Sequence, residues 1–267
     1  MTPEQVQATG ELAEALGGPG LLGMPHGLHE GVPEDVYHRR ELRLASKHGL
    51  DLVLKAPAAF KAWAGGAEDE PTPAMVFGKD FHTATLEPHL YKPGGLTTKR
   101  GREDAERIAG MVAAVRAHPV AGPMLKHGKP EVTARWRDPA TGVECKARAD
   151  LYSPGLAMLA DLKSCTDASP EEFAKACARY TYHQQAAMYL DGFVRAGAEV
   201  DTFAFIAVEK QPPHLVAVYM LDEAALLMGA HRTRRGLSTL AECLATDTWP
   251  GYSPRIQTLT LPRWTEE

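Results

Sequence analysis

Two aspartates and a lysine that lie close together in the sequence could bind a metal ion and act on a phosphate. Asp150 ends one apolar segment, and Asp161 and Lys163 lie two residues apart on the next. Residues two apart on a strand point to the same face, so Asp161 and Lys163 are predicted to face the same way. Two carboxylates in a partly buried site repel each other unless a cation lies between them. Such oxygen ligands suit Mg²⁺, and the lysine could orient a water and stabilise charge on a phosphate.

The surrounding sequence predicts the elements that would position these groups. An isolated Asp-x-Lys is common by chance, and its simplest interpretation is a surface hairpin with an ordinary ion pair. Here, however, residues 131–137 and 143–151 alternate polar and apolar side chains, residues 156–163 are mostly apolar, and short turns containing Pro and Gly separate the three segments. This pattern predicts three sequential antiparallel strands.

The predicted turn between the second and third strands leaves the register open. A tight turn at residues 152–155 would place Asp150 opposite Ala157, which is short of Asp161. A twist of the sheet or a wider turn must therefore bring the two carboxylates together.

The order of motifs along the chain resembles a known family. A G-x-x-x-H box at residues 78–82 precedes Leu-Glu-Pro at 86–88, and G-x-x-x-K-x-R-x-D follows at 142–150. Asp-Leu-Lys comes next at 161–163, and Y-x-x-Q-x-A-x-Y-L-D at 182–191. This set resembles the P-D-(D/E)-x-K nucleases, and within them the RecE-type exodeoxyribonuclease VIII domain of phages and prophages. One departure is Asp161, where many members of the superfamily have Glu; RecE-type members accept Asp.

The resemblance implies roles for individual residues. Divalent metal would be held by Glu131, Asp150, Asp161 and the carbonyl of Leu162. His82, which by itself would more often be a structural residue on an apolar helix, would lie on the side of a second metal. Lys163 would orient the attacking water. The remaining members of the implied set are Gln185 and Tyr189, which lie four residues apart on one helical face and would help to place the DNA strand.

The resemblance also implies an activity. It predicts an exodeoxyribonuclease that uses Mg²⁺ or Mn²⁺, with two ions, to degrade linear double-stranded DNA from the 5′ end. The 3′ overhangs would serve recombination by strand annealing, with a single-strand annealing protein as a possible partner. RecE-type enzymes form rings, so a homo-oligomer is predicted, and the expected location is the cytoplasm of a bacterial host. A single-strand or flap nuclease of the same superfamily and a non-catalytic DNA-binding relative remain alternatives.

Basic residues predict where DNA would be held. Two clusters are the densest positive groups in a chain of net charge −5, which otherwise does not favour binding to DNA by bulk charge. Solvated helix faces are the competing interpretation. With Ser46 and Tyr182, the predicted DNA-contacting set is Arg39, Arg40, Arg43, Ser46, Lys99, Arg100, Arg102 and Tyr182.

Length and composition favour one intracellular α/β domain. The chain has 267 residues, 44% of them hydrophobic, which is enough for one large domain. No apolar run approaches the roughly 20 residues needed to cross a membrane, and the first residues lack the pattern of a signal peptide. The four cysteines have no C-x-x-C spacing, so neither a zinc site nor the iron–sulfur cluster of some related nucleases is expected.

The expected fold is a restriction-endonuclease-like α/β domain: a mixed central β-sheet flanked by helices, with a helical N-terminal elaboration. The predicted organisation is a flexible segment at 1–25, a nuclease domain at 26–247 and a tail at 248–267. Within the nuclease domain, the helical part is 26–128, the catalytic sheet with its helices is 129–221, and the C-terminal helix is 222–247.

Overall fold

The chain forms one mixed β-sheet with helices on both faces, as the sequence predicts. A computed structural model of the protein describes residues 20–67 and 71–261. Most of the segment predicted to be flexible, 1–25, lies outside these residues. The strands are β1 (Gly27–His29), β2 (Leu44–Ala45), β3 (Lys129–Arg137), β4 (Glu144–Ser153), β5 (Met158–Cys165), β6 (Thr202–Glu209) and β7 (Val216–Met220).

The strands lie in the order β1-β3-β4-β5-β6-β7, with β2 beside β4. Strands β3, β4 and β5 form the predicted antiparallel meander, and β5 and β6 are parallel. A parallel pair requires a crossover connection, and two helices supply it between these strands. The helices are α1 (Glu34–His38), α2 (Lys47–Lys55), α3 (Pro57–Ala64), α4 (Pro73–Leu86), α5 (Lys99–Ala117), α6 (Ala121–His127), α7 (Pro170–Arg179), α8 (Tyr182–Arg195) and α9 (Glu223–Thr246).

Side-chain caps fix where several helices begin. The Ser46 hydroxyl accepts a hydrogen bond from the Gly49 N–H at 3.1 Å and so starts α2. Asp222 accepts from Ala225 in the same way at the start of α9. Each such cap satisfies a backbone N–H that has no partner within the helix, which stabilises the helix by about 1 kcal/mol.

The two faces of the sheet pack against different helices. On β6, Phe203 and Phe205 belong to the core formed with helices α2, α3, α7, α8 and α9. Ile206 and Val208 belong to the core formed with α4, α5 and α6. Alternate residues of a strand point to opposite faces, so β6 is apolar throughout because both of its faces are covered.

The register between β4 and β5 shows that the wider turn, one of the two alternatives left open by the sequence, brings the carboxylates opposite each other. Tyr152 pairs with Leu159 and Leu151 with Ala160, so the same register places Asp150 directly opposite Asp161. The turn lies later than expected: it is a 3₁₀ turn at Pro154–Leu156 that ends with Ala157 in the left-handed region, at φ +48°. This wider turn brings the two carboxylates together without any special twist.

In the two described ranges, no helix is by itself long and apolar enough to cross a membrane. Helices α5 and α6 reach that length and composition only as a pair, across a bend of 91°.

Candidate active site

The site lies where β4 and β5 separate. Their pairing ends at Leu151 and Ala160, immediately before the two aspartates. The backbone N–H of Leu162 therefore donates to a side chain: it donates to Asp150 Oδ2 at 2.7 Å. The hydrogen bond thus holds Asp150 in place, and the separation of the strands leaves a gap between β4 and β5 beside the two aspartates.

Glu131 faces this gap from β3 in an unusual backbone conformation. The register of β3 and β4 places Glu131 opposite Asp150, yet its φ is +51°. This left-handed conformation is rare for a residue with a side chain other than Asn or Asp and costs about 1–3 kcal/mol. The regular alternation of β4 is also interrupted here. Ala149 and Leu151 are two residues apart and would share a face of a regular strand, yet they pack in different cores. Glu131 therefore lies where the strand pattern is interrupted, close enough for the charges of Asp150 and Asp161 to raise its pKa.

Asp161 is held by neighbours on two sides. Lys163 lies on the same face, as predicted, and its ammonium contacts Asp161 Oδ2. The Gln185 side-chain amide donates to Asp161 Oδ1 from helix α8. Within the described part of the chain, Asp161 Oδ2 is buried and accepts no hydrogen bond of regular geometry. That oxygen is therefore paired with the Lys163 ammonium, and a bound metal ion would share it with the lysine.

Lys163 lies between the carboxylates and an aromatic ring. Its ammonium is 4.7 Å from the centre of the Tyr182 ring. Burial alone would lower the pKa of Lys163, but the nearby carboxylates of Asp161 and Asp150 outweigh it and raise the pKa. The lysine is thus held protonated, as a hydrogen-bond donor.

His82 contacts Asp150 from the face of the sheet opposite to helix α8, which carries Gln185. It lies on α4, where Phe81 packs in the core, and its Nδ1 is 3.3 Å from Asp150 Oδ2. The structure therefore brings together His82, Glu131, Asp150, Asp161, Lys163 and Gln185 from three strands and two helices, with Tyr189 buried beside them on α8.

The carboxylates carry the electrostatic signature of a cation site. Burial, followed by the charge of Asp150, raises the pKa of Glu131 to about 8. Burial and the charge of Asp161 raise the pKa of Asp150 to about 6. Like charges forced together in a buried site favour protonation unless a cation neutralises them.

The donor set fits a divalent ion in its chemistry. Carboxylate oxygens and a histidine nitrogen are suitable ligands, and Asp161 Oδ2 is buried without a regular hydrogen bond. As the described side chains stand, no three His, Cys, Asp or Glu groups are arranged to hold an ion. Each carboxylate instead contacts a basic side chain: Glu131 contacts Arg148, Asp150 contacts His82 and Asp161 contacts Lys163.

The sequence interpretation did not assign roles to three residues of this site. Glu87, on the Leu-Glu-Pro box, is close enough to raise the pKa of Glu131 further. The Arg148 guanidinium lies 3.8 Å from Glu131 Oε2 and opposes that shift. Tyr37 from α1 packs its ring 4.1 Å from the same guanidinium. Arg148 and Glu87 lie within the quoted motifs, whereas no motif marks Tyr37.

The predicted DNA-contacting residues are distributed over several elements. In the first basic cluster, which is Arg39, Arg40 and Arg43, Arg40 donates to the Ala67 carbonyl and stacks over Trp63, and Arg43 is exposed. The second basic cluster is Lys99, Arg100 and Arg102, which are exposed at the start of α5. Lys99 and Arg100 pair with acidic residues one turn along the helix. Ser46 is committed to capping α2.

A basic pocket lies beside Tyr182. Its volume is about 440 Å³, and three cations and one carboxylate are among its lining residues: Lys47, Asp51, Arg179, Tyr180, Thr181, Tyr182 and Arg232. Asp51 pairs with Lys47 at 2.8 Å and with Arg232 at 3.4 Å. Burial lowers the pKa of Lys47, and the charges of Lys163 and Arg232 also lower it. The pocket therefore has an excess of positive charge next to the carboxylate site.

A strained sheet junction that gathers three carboxylates and a lysine defines a fold of the P-D-(D/E)-x-K class. A comparison with solved structures supports this fold. A candidate exonuclease from Eubacterium rectale has a TM-score of 0.61 at 14% identity, over 89% of this chain and 98% of that one. A phage-related exonuclease from Haemophilus somnus is also similar at 14% identity, over 79% of this chain and 96% of that one, but its TM-score of 0.37 is too low to bear on the fold.

The sequence comparison assigns the family. Residues 49–262 match the family described as a PDDEXK-like domain of unknown function (DUF3799). The chain belongs to this family, and so to the P-D-(D/E)-x-K nuclease superfamily. No curated protein matches the chain in sequence.

Proposed function

We propose that the protein is a metal-dependent exodeoxyribonuclease of the RecE type that degrades linear double-stranded DNA. One observation carries this proposal: Asp150 and Asp161 lie opposite each other where two strands separate, with Lys163 beside them. The nuclease fold and the family agree with a phosphodiester substrate. The RecE assignment rests on the order of the sequence motifs.

Glu131, Asp150, Asp161 and the Leu162 carbonyl would hold Mg²⁺ or Mn²⁺, with two ions in total and His82 at the second. When bound, such ions supply an acidified water and neutralise charge on the phosphate and on the leaving 3′ oxygen. Products would then carry 5′ phosphates.

The protein groups have separate tasks in this reaction. Lys163 is protonated and would donate a hydrogen bond to the attacking water, holding its lone pair toward phosphorus. Gln185 fixes the orientation of the Asp161 carboxylate through its amide. Tyr189, buried beside the aspartates, would help to place the strand that is cut.

The DNA would be held by local positive charge rather than by the whole surface. The pocket beside Tyr182 is positioned to receive a backbone phosphate close to the site. The exposed cluster at Lys99, Arg100 and Arg102, together with Arg39, Arg40 and Arg43, would contact the duplex further away. A homo-oligomer would keep the enzyme on DNA with modest contact per subunit, and light scattering tests for it.

Duplexes labelled separately at each end test the activity. With Mg²⁺ the 5′-terminated strand should disappear and the 3′-terminated strand should remain as an overhang, ready for a single-strand annealing protein in the bacterial cytoplasm. Chelator should stop the reaction. Cutting of circular single-stranded DNA would instead favour a single-strand or flap nuclease, and binding without cutting would favour a non-catalytic relative.

A further inference from the structure

The segment before the family domain reaches into the site. The family match begins at residue 49, but Tyr37 and Val32 lie upstream of it and contact the residues around Glu131. The Tyr37 carbonyl accepts a hydrogen bond from the Lys146 ammonium, which also donates to the Arg39 carbonyl at 3.0 Å. These contacts fasten α1 to β4.

The Tyr37 ring is one of three groups that fix Arg148. The Arg148 Nε donates to Thr133 Oγ1 at 3.0 Å, and its Nη2 donates to the Val32 carbonyl at 2.7 Å. The guanidinium carbon lies 4.1 Å from the centre of the Tyr37 ring. Held in this way, the guanidinium stays 3.8 Å from Glu131 Oε2, which is an ion pair without a hydrogen bond.

The Tyr37 hydroxyl makes the second connection. It lies close enough to the Tyr189 hydroxyl for each tyrosine to influence the pKa of the other, and the charge of Asp150 helps to raise the pKa of both. One side chain from outside the family domain thus lies against Arg148, which neighbours Glu131, and beside Tyr189, which neighbours Asp150 and Asp161.

We propose that Tyr37 is a positioning residue of the metal site, supplied by the segment that precedes the family domain. Its ring keeps Arg148 near Glu131 while leaving the carboxylate oxygens open to the ion. Without the ring, the guanidinium can close onto Glu131 in a charge-assisted hydrogen bond and compete with the ion. The inference rests on the proposed metal site.

The test measures Mn²⁺ binding by the full chain in two ways: by calorimetry and by the electron paramagnetic resonance signal of free Mn²⁺. Tyr37→Leu should bind Mn²⁺ about tenfold more weakly, as expected for loss of a buried cation–π contact. Tyr37→Phe keeps the ring and should stay within about threefold of the wild type. In the Tyr37→Leu background, Arg148→Gln should restore part of the affinity, because the competing guanidinium is gone.

Tyr219 provides the matched control. Its hydroxyl donates to the Ala168 carbonyl at 2.6 Å and its ring stacks on Phe173, away from the carboxylates. Tyr219→Leu should lower the melting temperature but leave Mn²⁺ affinity unchanged. Equal Mn²⁺ affinity of folded Tyr37→Leu and wild type would overturn the inference alone, as would equal weakening by Tyr219→Leu. Failure of the wild type to bind Mn²⁺ would overturn the proposed metal site as well.

Discussion

Strands β4 and β6 are buried on both faces of the same sheet, yet they bury different chemistry. Strand β6 buries apolar side chains such as Phe205 and Ile206 and pairs with β5 along its whole length. Strand β4 buries Lys146, Arg148 and Asp150, and only its last residues, Leu151 to Ser153, pair with β5. Burying charge costs free energy that apolar residues do not incur.

The difference predicts that β6 serves stability and that β4, around Asp150, serves the proposed chemistry. Lys146 is buried deeply enough to lower its pKa to about 8, and Glu131 adds a left-handed backbone. A protein usually keeps such costs where function requires them. Changes in β6 should therefore act on folding, and changes around Asp150 should act on catalysis.

The largest expected effect is on activity. Asp161→Asn keeps the size of the side chain but removes a charge that the proposed metal ion would need, so the rate of DNA cleavage should fall by at least about a hundredfold. Asp150→Asn and Lys163→Ala should act similarly. Initial rates on linear duplex with Mg²⁺, together with circular dichroism to verify folding, measure this.

Asp138 is the matched control for Asp161, since it is equally buried but pairs with Arg234 at 3.0 Å, away from the site. Asp138→Asn should lose stability and keep its activity per folded molecule. Wild-type activity of Asp161→Asn would show that the site has been assigned to the wrong residues.

In β6, Ile206→Ala should have the opposite effect to Asp161→Asn: it should lower stability and leave the activity of the folded protein unchanged. Ile206 is fully buried, and truncating such a residue costs about 2–5 kcal/mol of stability through reduced burial and a residual cavity. Urea unfolding measures the cost. The cleavage rate per folded molecule should be unchanged at low temperature, and a loss of rate without a loss of stability would contradict the division between the two strands.

The pH dependence of stability should expose the repelling carboxylates. Because the pKa of Glu131 is raised from 4.5 to about 8, the folded protein holds a proton that the unfolded chain releases between these values. Without metal, stability should therefore fall as pH rises from about 5 to 8.

The melting temperature in chelator at pH 5 and pH 8 measures this fall, which we expect to be about 3 °C or more. Asp150 acts in the same direction up to about pH 6. Glu131→Gln should flatten the slope, and Mn²⁺ should stabilise the wild type more at pH 8. A wild-type protein that gains stability over this range in chelator would refute the electrostatic account of the site.

The smallest expected effect concerns the exposed cluster Lys99, Arg100 and Arg102. Replacing all three with Gln should weaken DNA binding and reduce its salt dependence, by a slope of about 0.9 for each phosphate that the protein no longer neutralises. Fluorescence anisotropy across a salt series measures the slope. Lys61→Gln, which removes an exposed cation paired with Asp247, is a control. An unchanged slope in the triple variant would show that these residues do not contact DNA and form an ordinary solvated helix face.

Much of the fold followed from local patterns. Alternation in β3 and β4, the apolar segment of β5 and the turn residues between them predicted the meander. The spacing of Asp161 and Lys163 predicted their common face, because it depends only on the period of a strand. The exact register did not follow, since it depends on the left-handed Ala157 that ends the turn. Alternation does not reveal which residue of a turn takes that conformation.

The contacts of Tyr37 and Arg148 were beyond the sequence for a different reason. The two residues are far apart in the chain and meet only because α1 folds over β4. A single tyrosine on a short helix has no periodic signal that points to such a contact. In the same way, nothing in the local sequence around Glu131 indicates its positive φ.

Anomalous diffraction from crystals soaked in Mn²⁺ tests the central claim most directly. The account predicts a Mn²⁺ peak in the gap between β4 and β5, within bonding distance of Asp150 and Asp161, and loss of that peak in Asp161→Asn crystals. Crystals of active protein that show no peak there at saturating Mn²⁺, or a peak only at other residues, would contradict it.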